Sequence, residues 1–170
     1  MIYPIVKLGH PVLEKRAEPV TQFGTSELRD LVDSMFDSAY AAKGVGLAAP
    51  QIAVSQRIAV IDTSAGEDPA ARVVLINPEI LHKEGRQIGE EGCLSIPGFR
   101  EDVTRAMKVR MRAQNVEGEV FEMDGEELMA RAMQHELDHL DGVLFISHLS
   151  PLKRDLIKRK IRKLAKGGEW

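Results

Sequence analysis

Residues 124–142 read Asp-Gly-Glu-Glu-Leu-Met-Ala-Arg-Ala-Met-Gln-His-Glu-Leu-Asp-His-Leu-Asp-Gly. The acidic residues at the start of this stretch are typical of a helix N-terminus, and the closing Asp-Gly is typical of a helix end. We therefore predict a helix from Asp124 to about Leu140. Residues four apart lie on one face of a helix, so the imidazoles of His135 and His139 are expected to point in the same direction.

The His-Glu-x-x-His motif at residues 135–139 is the strongest functional signal in the chain. Two imidazoles on one helix face can bind one metal ion, and Glu136 can face a metal-bound water without binding the ion itself. The less specific interpretation is a helix that carries two surface histidines. A metal ion that activates water needs a third protein ligand and one open position.

Cys93 is the best candidate for that third ligand. The extended metalloprotease pattern with a third histidine is excluded, because Phe145 stands where that histidine would be. Only Glu169 offers a glutamate downstream of the motif, and His148 is a weak candidate. A lone cysteine is commonly a small buried apolar residue. Because the two-histidine motif lacks a third ligand, however, we interpret Cys93 as a thiolate that binds the metal.

The remaining pattern predicts an α+β fold, in which helices are separated by groups of short strands. Apolar residues at helical spacing predict a first helix over Ser26–Lys43, preceded by Thr25 as N-cap. A third helix is predicted over Pro151–Lys166. A turn at Glu117-Gly118 is expected between the last two strands. The predicted strands, which are β-branched or alternating runs, are residues 57–62, 72–77, 107–113 and 119–123.

Composition favours a single domain over residues 1–170 in a reducing cytoplasm. The chain is 44% hydrophobic, which excludes a disordered protein, and it has no apolar run long enough for a membrane span. It shows no signal-peptide pattern, and Cys93 is its one cysteine, which excludes an internal disulfide. Residues 151–170 carry eight Lys or Arg against two Asp or Glu. This basic tail is either a polyanion-binding surface or an ordinary solvated helix face.

Three segments together resemble the peptide deformylase family. They are Gly44–Gln51 (Gly-Val-Gly-Leu-Ala-Ala-Pro-Gln), Glu91–Ser95 (Glu-Gly-Cys-Leu-Ser) and Gln134–His139 (Gln-His-Glu-Leu-Asp-His), in the order in which that family carries them. The sequence Ser95-Ile96-Pro97-Gly98 is similar to the bacterial and organellar branch. The resemblance implies an α+β fold whose motif helix packs among antiparallel sheets, with one helix before it and one after it.

The resemblance also implies an activity and a role for individual residues. The activity is removal of the formyl group from the N-terminal formylmethionine of new polypeptides, with formate as a product. Cys93, His135 and His139 would hold the metal, and Glu136 would act as general base and then as acid. Gln51 and the backbone N–H of Leu94 would hold the formyl oxygen. The implied substrate-binding residues are Val45, Gly46, Gly92, Arg100, Leu128 and Ala132.

The implied cofactor is one divalent metal ion, Fe²⁺ in the cell, which Zn²⁺, Ni²⁺ or Co²⁺ can replace during purification. The implied partners are the nascent formylmethionyl peptide and, through the basic helix, the ribosome; no membrane or DNA partner is expected. Two alternatives stay open on the residues alone. One is a zinc peptidase built on the His-Glu-x-x-His motif, and the other is a non-catalytic ribosome-binding module with a structural metal.

Overall fold

The computed structural model describes all residues from Met1 to Trp170 and contains three α-helices and seven β-strands. The helices are α1 (Ser26–Ala41), α2 (Glu127–Leu140) and α3 (Pro151–Lys166). The strands are β1 (Gly46–Ala48), β2 (Ile58–Ile61), β3 (Val73–Glu84), β4 (Gln87–Cys93), β5 (Ile96–Arg105), β6 (Lys108–Gln114) and β7 (Val120–Glu126).

All neighbouring strands are antiparallel and form two sheets. The larger sheet has the order β1-β2-β3-β6-β7, and β4 and β5 pair alone as a two-stranded sheet. Helix α2 packs on the larger sheet, where its Ala130 and Met133 join Met111 and other buried apolar side chains. The prediction of an α+β fold with the motif helix among antiparallel sheets is confirmed.

Side-chain alternation gives β6 one buried face and one face in solvent. Val109, Met111 and Ala113 are buried, whereas the basic residues between them face solvent. The turn at Glu117-Gly118 then leads into β7, as predicted. Alternation of this kind is the sequence signature of a strand with one wet face.

The prediction that the motif helix begins at Asp124 is wrong. Asp124 belongs to β7 and pairs with Arg110 of β6, and α2 begins only at Glu127. The acidic residues that look like a helix cap are instead held by the backbone ladder between β6 and β7. Glycine suits this corner, because a Cβ atom at Gly125 would collide with the side chains of Met133 and Met129.

Helix α1 begins as predicted and ends two residues early. The side-chain oxygen of Thr25 accepts a hydrogen bond from the Leu28 N–H, which caps the first turn. The helix ends at Ala41 instead of Lys43, because Lys43 adopts a positive φ of 59° that no α-helix continues. Gly44 closes the turn by donating its N–H to the Ala39 carbonyl.

Helix α3 has the predicted bounds, but only part of its apolar stripe packs against the body. Ile157 and Ile161 are buried, whereas Leu152 and Leu156 are 70% and 45% exposed. The outer part of the apolar stripe therefore remains open to solvent. None of the three helices combines the length and the apolar character that crossing a bilayer requires.

Candidate metal centre

Three side chains from two elements converge on one point between the sheets. His135 and His139 lie on adjacent turns of α2, and Cys93 is the last residue of β4. The Cys93 Sγ atom is 3.3 Å from His139 Nε2, which is 3.2 Å from His135 Nε2. All three potential ligand atoms lie within 4.8 Å of one another. The structure thus brings together the three residues that the sequence singles out as metal ligands.

This donor set fits a divalent ion. A tetrahedral ion with bonds of about 2.0–2.1 Å to nitrogen and about 2.3 Å to sulfur separates its ligand atoms by about 3.3–3.6 Å. The two separations that involve His139, 3.3 Å to Cys93 Sγ and 3.2 Å to His135 Nε2, are close to these values. A thiolate and two imidazoles also leave one coordination position for water or substrate, as catalytic sites do.

The histidine pKa values shift in opposite directions. Burial and the neighbouring His135 lower the pKa of His139, which keeps that imidazole neutral and able to bind a cation. Burial also lowers the pKa of His135, but hydrogen bonds with Cys93 and Glu91 outweigh it and raise the value to about 10. A divalent cation bound here would therefore displace a proton from His135.

Glu136 lies beside the three ligands with a carboxylate oxygen free. The side chain is buried, and its Oε2 atom has no hydrogen-bond partner in the protein. Burial raises the pKa of Glu136 to about 7, and the positive charge of His135 opposes this shift. Gly46 permits the close approach, because a Cβ atom there would lie 3.2 Å from Glu136 Oε1. A carboxyl group with a pKa near neutrality is suited to exchange protons with water.

The two residues expected to hold the formyl oxygen lie next to Cys93. Gln51 is buried in a short 3₁₀ turn after β1, where its Oε1 accepts a hydrogen bond from the Ala48 N–H. This bond turns the Gln51 Nε2 group towards the centre, 3.6 Å from Cys93 Sγ and 3.2 Å from Ser95 Oγ. Leu94 follows Cys93 in the turn between β4 and β5.

A cleft of about 760 Å³ opens onto Cys93, His135 and Glu136, and His139 lies buried behind it. This volume lies in the range of small-molecule sites, about 300–1,000 Å³. All of the residues that the sequence analysis names as substrate-binding line this cleft: Val45, Gly46, Gly92, Arg100, Leu128 and Ala132. The guanidinium of Arg100 lies at the exposed side, 2.5 Å from a carboxylate oxygen of Glu90.

Sequence reasoning missed Glu91, the buried carboxylate that supports His135. The His135 Nδ1 atom lies 2.8 Å from Glu91 Oε1, a contact typical of metal-binding histidines. Arg105 makes two hydrogen bonds of 2.8 Å to the same carboxylate, and Arg131 makes a third of 2.6 Å. Burial alone would raise the pKa of Glu91, but its bonds with Arg105 and His135 hold it well below its usual range.

The network continues away from the centre and explains the place of His148. Arg105 also donates to Asp138, 2.7 Å away, and the Asp138 carboxylate lies 2.8 Å from His148 Nε2. His148 therefore lies outside the ligand cluster, which rules against it as a third ligand. Strand alternation could have indicated that Glu91 points inwards and Glu90 outwards, but only if β4 had been recognised.

Comparison with known proteins shows the family to which the chain belongs. The model of the family described as "Polypeptide deformylase" matches residues 2–155. A peptide deformylase of Acidobacterium capsulatum is 65% identical over 100% of this chain and 99% of the relative, and one of Alkalilimnicola ehrlichii is 49% identical over 99% and 90%. The crystal structure of a peptide deformylase from Legionella pneumophila superposes with a TM-score of 0.91 at 45% identity, covering 98% of this chain and 96% of that chain. The chain belongs to the peptide deformylase family.

Proposed function

We propose that this chain removes the formyl group from N-terminal formylmethionine, with its reaction centre at Cys93, His135, His139 and Glu136. The observation that carries the proposal is the buried Glu136 carboxylate beside the three-ligand cluster: its Oε1 atom lies 4.0 Å from His135 Nε2, and its Oε2 atom has no hydrogen-bond partner. Family membership supports the activity, and the three-ligand cluster supports this choice of reaction centre. An ion held by these three ligands would lower the pKa of water towards about 7.

Glu136 is the proton carrier in this proposal. With a pKa of about 7, Glu136 exchanges protons with water at neutral pH. It can therefore take a proton from the water molecule that attacks the formyl carbon. It then delivers the proton to the nitrogen of the departing amine as the C–N bond breaks. Formate and a peptide with a free methionine amine leave the cleft.

Gln51 and Leu94 stabilise the formyl oxygen. The Gln51 carboxamide is fixed by its bond from the Ala48 N–H, so its Nε2 group stays turned towards the centre. The backbone N–H of Leu94 is the second donor. Fixed donors of this kind stabilise the negative charge that develops on the oxygen, and the loss of one typically reduces the rate about 10²–10³-fold.

The apolar part of the cleft accepts the methionine side chain. Val45, Gly46, Leu128 and Ala132 line that part, and they offer no charge that a thioether would have to displace. Gly92 and Arg100 face the peptide backbone that follows. A Cβ atom at Gly92 would lie 2.9 Å from the Arg100 guanidinium, so glycine keeps this passage open.

We infer Fe²⁺ as the cellular metal, following the family. A Cys-His-His set binds Zn²⁺, Ni²⁺ or Co²⁺ at least as tightly by the general order of divalent metals. These ions can therefore displace Fe²⁺ during purification. A ferrous thiolate centre requires reducing surroundings, which supports a cytoplasmic location.

We infer that α3 contacts the ribosome. Its basic residues face solvent together with Leu152 and Leu156, which the body leaves 70% and 45% exposed. Such a face suits a surface that offers both RNA phosphates and apolar protein side chains. The substrate, a nascent chain, emerges at the ribosome, so docking there shortens its path to the cleft.

Formate release from formyl-Met-Ala-Ser by the Fe²⁺-loaded chain, kept free of oxygen, tests the proposal directly. Glu136→Gln should retain the metal and lose at least about 10²-fold in kcat, because an amide cannot accept the proton. Unformylated Met-Ala-Ser is the control substrate. Cleavage of its peptide bonds would favour a peptidase, and metal binding without turnover of either peptide would favour a non-catalytic module.

A further inference from the structure

We propose that Trp170 is a positioning residue for the outer end of the cleft, where the substrate residues after formylmethionine would bind. The inference rests on the proposed function, because it assigns a role in binding that substrate. It concerns the short tail that follows α3, residues 167–170, which the reaction scheme does not use. The tail folds back from the helix and contacts both the cleft wall and the segment Val6–Leu8.

Hydrogen bonds at the end of α3 direct the tail towards the body. Glu169 donates its N–H to the Leu164 carbonyl and Gly168 to the Ala165 carbonyl, which together form a Schellman motif. Gly168 has a φ of +75°, a conformation that glycine adopts without strain. The chain therefore reverses after the helix, and Trp170 is half-buried instead of extending into solvent.

Three contacts hold the Trp170 side chain. Its indole N–H donates to the Leu8 carbonyl at 3.2 Å, and its ring meets the ring of Phe99 edge-on, with 6.4 Å between centroids. The Lys7 ammonium lies 5.7 Å from the indole centroid and donates to the Trp170 backbone oxygen at 2.7 Å. The indole thus bridges Leu8 and Phe99.

Both of these residues connect to the reaction centre. Phe99 lines the cleft, and Leu8 donates its N–H to the Ser95 carbonyl, one residue from Leu94. The neighbouring Val6 donates its N–H to the Gln51 carbonyl at 2.8 Å. Backbone hydrogen bonds that do not involve the indole therefore hold this segment against both loops that carry the formyl-oxygen donors, so removing the indole leaves those donors in place.

A longer substrate would leave the cleft along the wall formed by residues 97–100, which includes Phe99. Pro97, Gly98 and Arg100 around it are exposed, so this wall opens to solvent. A cleft of about 760 Å³ cannot enclose a polypeptide, and the chain beyond methionine must cross such a wall. Trp170 fixes the orientation of Phe99 there, which gives the second and third substrate residues a rigid apolar surface.

Substrates of two lengths separate this role from a general effect on folding. For Trp170→Ala, KM for formyl-Met-Ala-Ser should rise about two- to ten-fold, the loss expected for one aromatic contact, while kcat stays unchanged. Both constants should stay unchanged for formyl-methionine amide, which has no residues beyond methionine. Trp170→Phe keeps a ring beside Phe99 and should recover most of the loss. Glu169→Ala, an exposed neighbour, is the matched control.

Fluorescence provides a second measurement, because Trp170 is the only tryptophan in the chain. In the Glu136→Gln variant, which binds without turnover, formyl-Met-Ala-Ser should change the tryptophan emission and formyl-methionine amide should not. An equal response to both compounds, or none to the tripeptide, would overturn the proposal. So would an equal loss of activity on both substrates in Trp170→Ala. If the wild type deformylates neither substrate, the proposed function fails first, and the emission test still decides whether peptides bind beside Trp170.

Discussion

Replacing Glu91 by glutamine should destabilise the fold and weaken metal binding together. The substitution keeps the side-chain volume and removes the negative charge that Arg105 and Arg131 share. Both arginines are buried, with side chains only 4% and 9% exposed. Breaking a buried ion pair typically costs about 3–5 kcal/mol, because one charge is left without a partner. Arg105 keeps its 2.7 Å contact with Asp138, so we expect the lower end, about 3 kcal/mol.

Urea unfolding of the metal-free chain measures this loss. At a slope of about 2 kcal/mol/M, a loss of about 3 kcal/mol lowers the midpoint by about 1.5 M. Metal titration should show an affinity about 10- to 100-fold weaker, because His135 loses the carboxylate that orients its ring. Glu90→Gln is the matched control: Glu90 is the adjacent residue and carries an exposed ion pair with Arg100, worth at most about 1 kcal/mol. If Glu91→Gln and Glu90→Gln unfold at the same urea concentration, the structural role assigned to Glu91 is wrong.

Three further predictions concern acid, the thiol and the basic helix. The pKa of Glu91 is lower in the folded chain than in the unfolded one, so the ionised Glu91 stabilises the fold fully above about pH 4.3. This contribution is lost as the pH falls below that value. The free energy of unfolding, measured from pH 6 to 3, should therefore fall more steeply in the wild type than in Glu91→Gln. Cys93→Ala should lower metal affinity, whereas Cys93→Asp should still bind a metal but lose most of its deformylation activity. If metal titration gives Cys93→Ala the affinity of the wild type, the thiol is not a ligand. The third change replaces four basic residues of α3 together by Glu: Lys158, Arg159, Arg162 and Lys163. Co-sedimentation with ribosomes should weaken and depend less on salt, whereas turnover of formyl-Met-Ala should be unchanged. Unchanged co-sedimentation would count against ribosome docking.

Helices were predicted from the sequence more accurately than strands, for a physical reason. The bounds of α3 follow from purely local signals, since Ser150 caps its first turn and Gly167-Gly168 ends its last one. The start of α2 depends on more than local signals. The cap pattern at Asp124 competes with seven residue pairs between β6 and β7, and the ladder prevails. Tertiary pairing can override a local preference of this size.

Strand β4 escaped prediction because its inward positions are not apolar. In β4 the residues that face the interior include Gly89 and Glu91, and those that face outwards include Ile88 and Glu90. Strand prediction depends on alternation between apolar and polar residues, and here the alternation is reversed. Ile88 is 71% exposed while the charged Glu91 is buried. The inward glycine makes room for Arg131, whose guanidinium lies 3.1 Å from the position of a Cβ atom at Gly89.

The three expected metal ligands and the residue that supports them differ in how visible they are in a sequence. Histidine and cysteine are rare and chemically specific, so Cys93, His135 and His139 can be grouped before their distances are known. Glutamate is common and usually exposed, and nothing local distinguishes Glu91 from Glu90. Its partner Arg105 is 14 residues away and becomes a neighbour only through pairing of β4 with β5. Because the hairpin supplies Glu91 and Arg105 whereas α2 supplies Arg131 and His135, the orientation of His135 depends on how α2 packs against the hairpin as well as on its own helix.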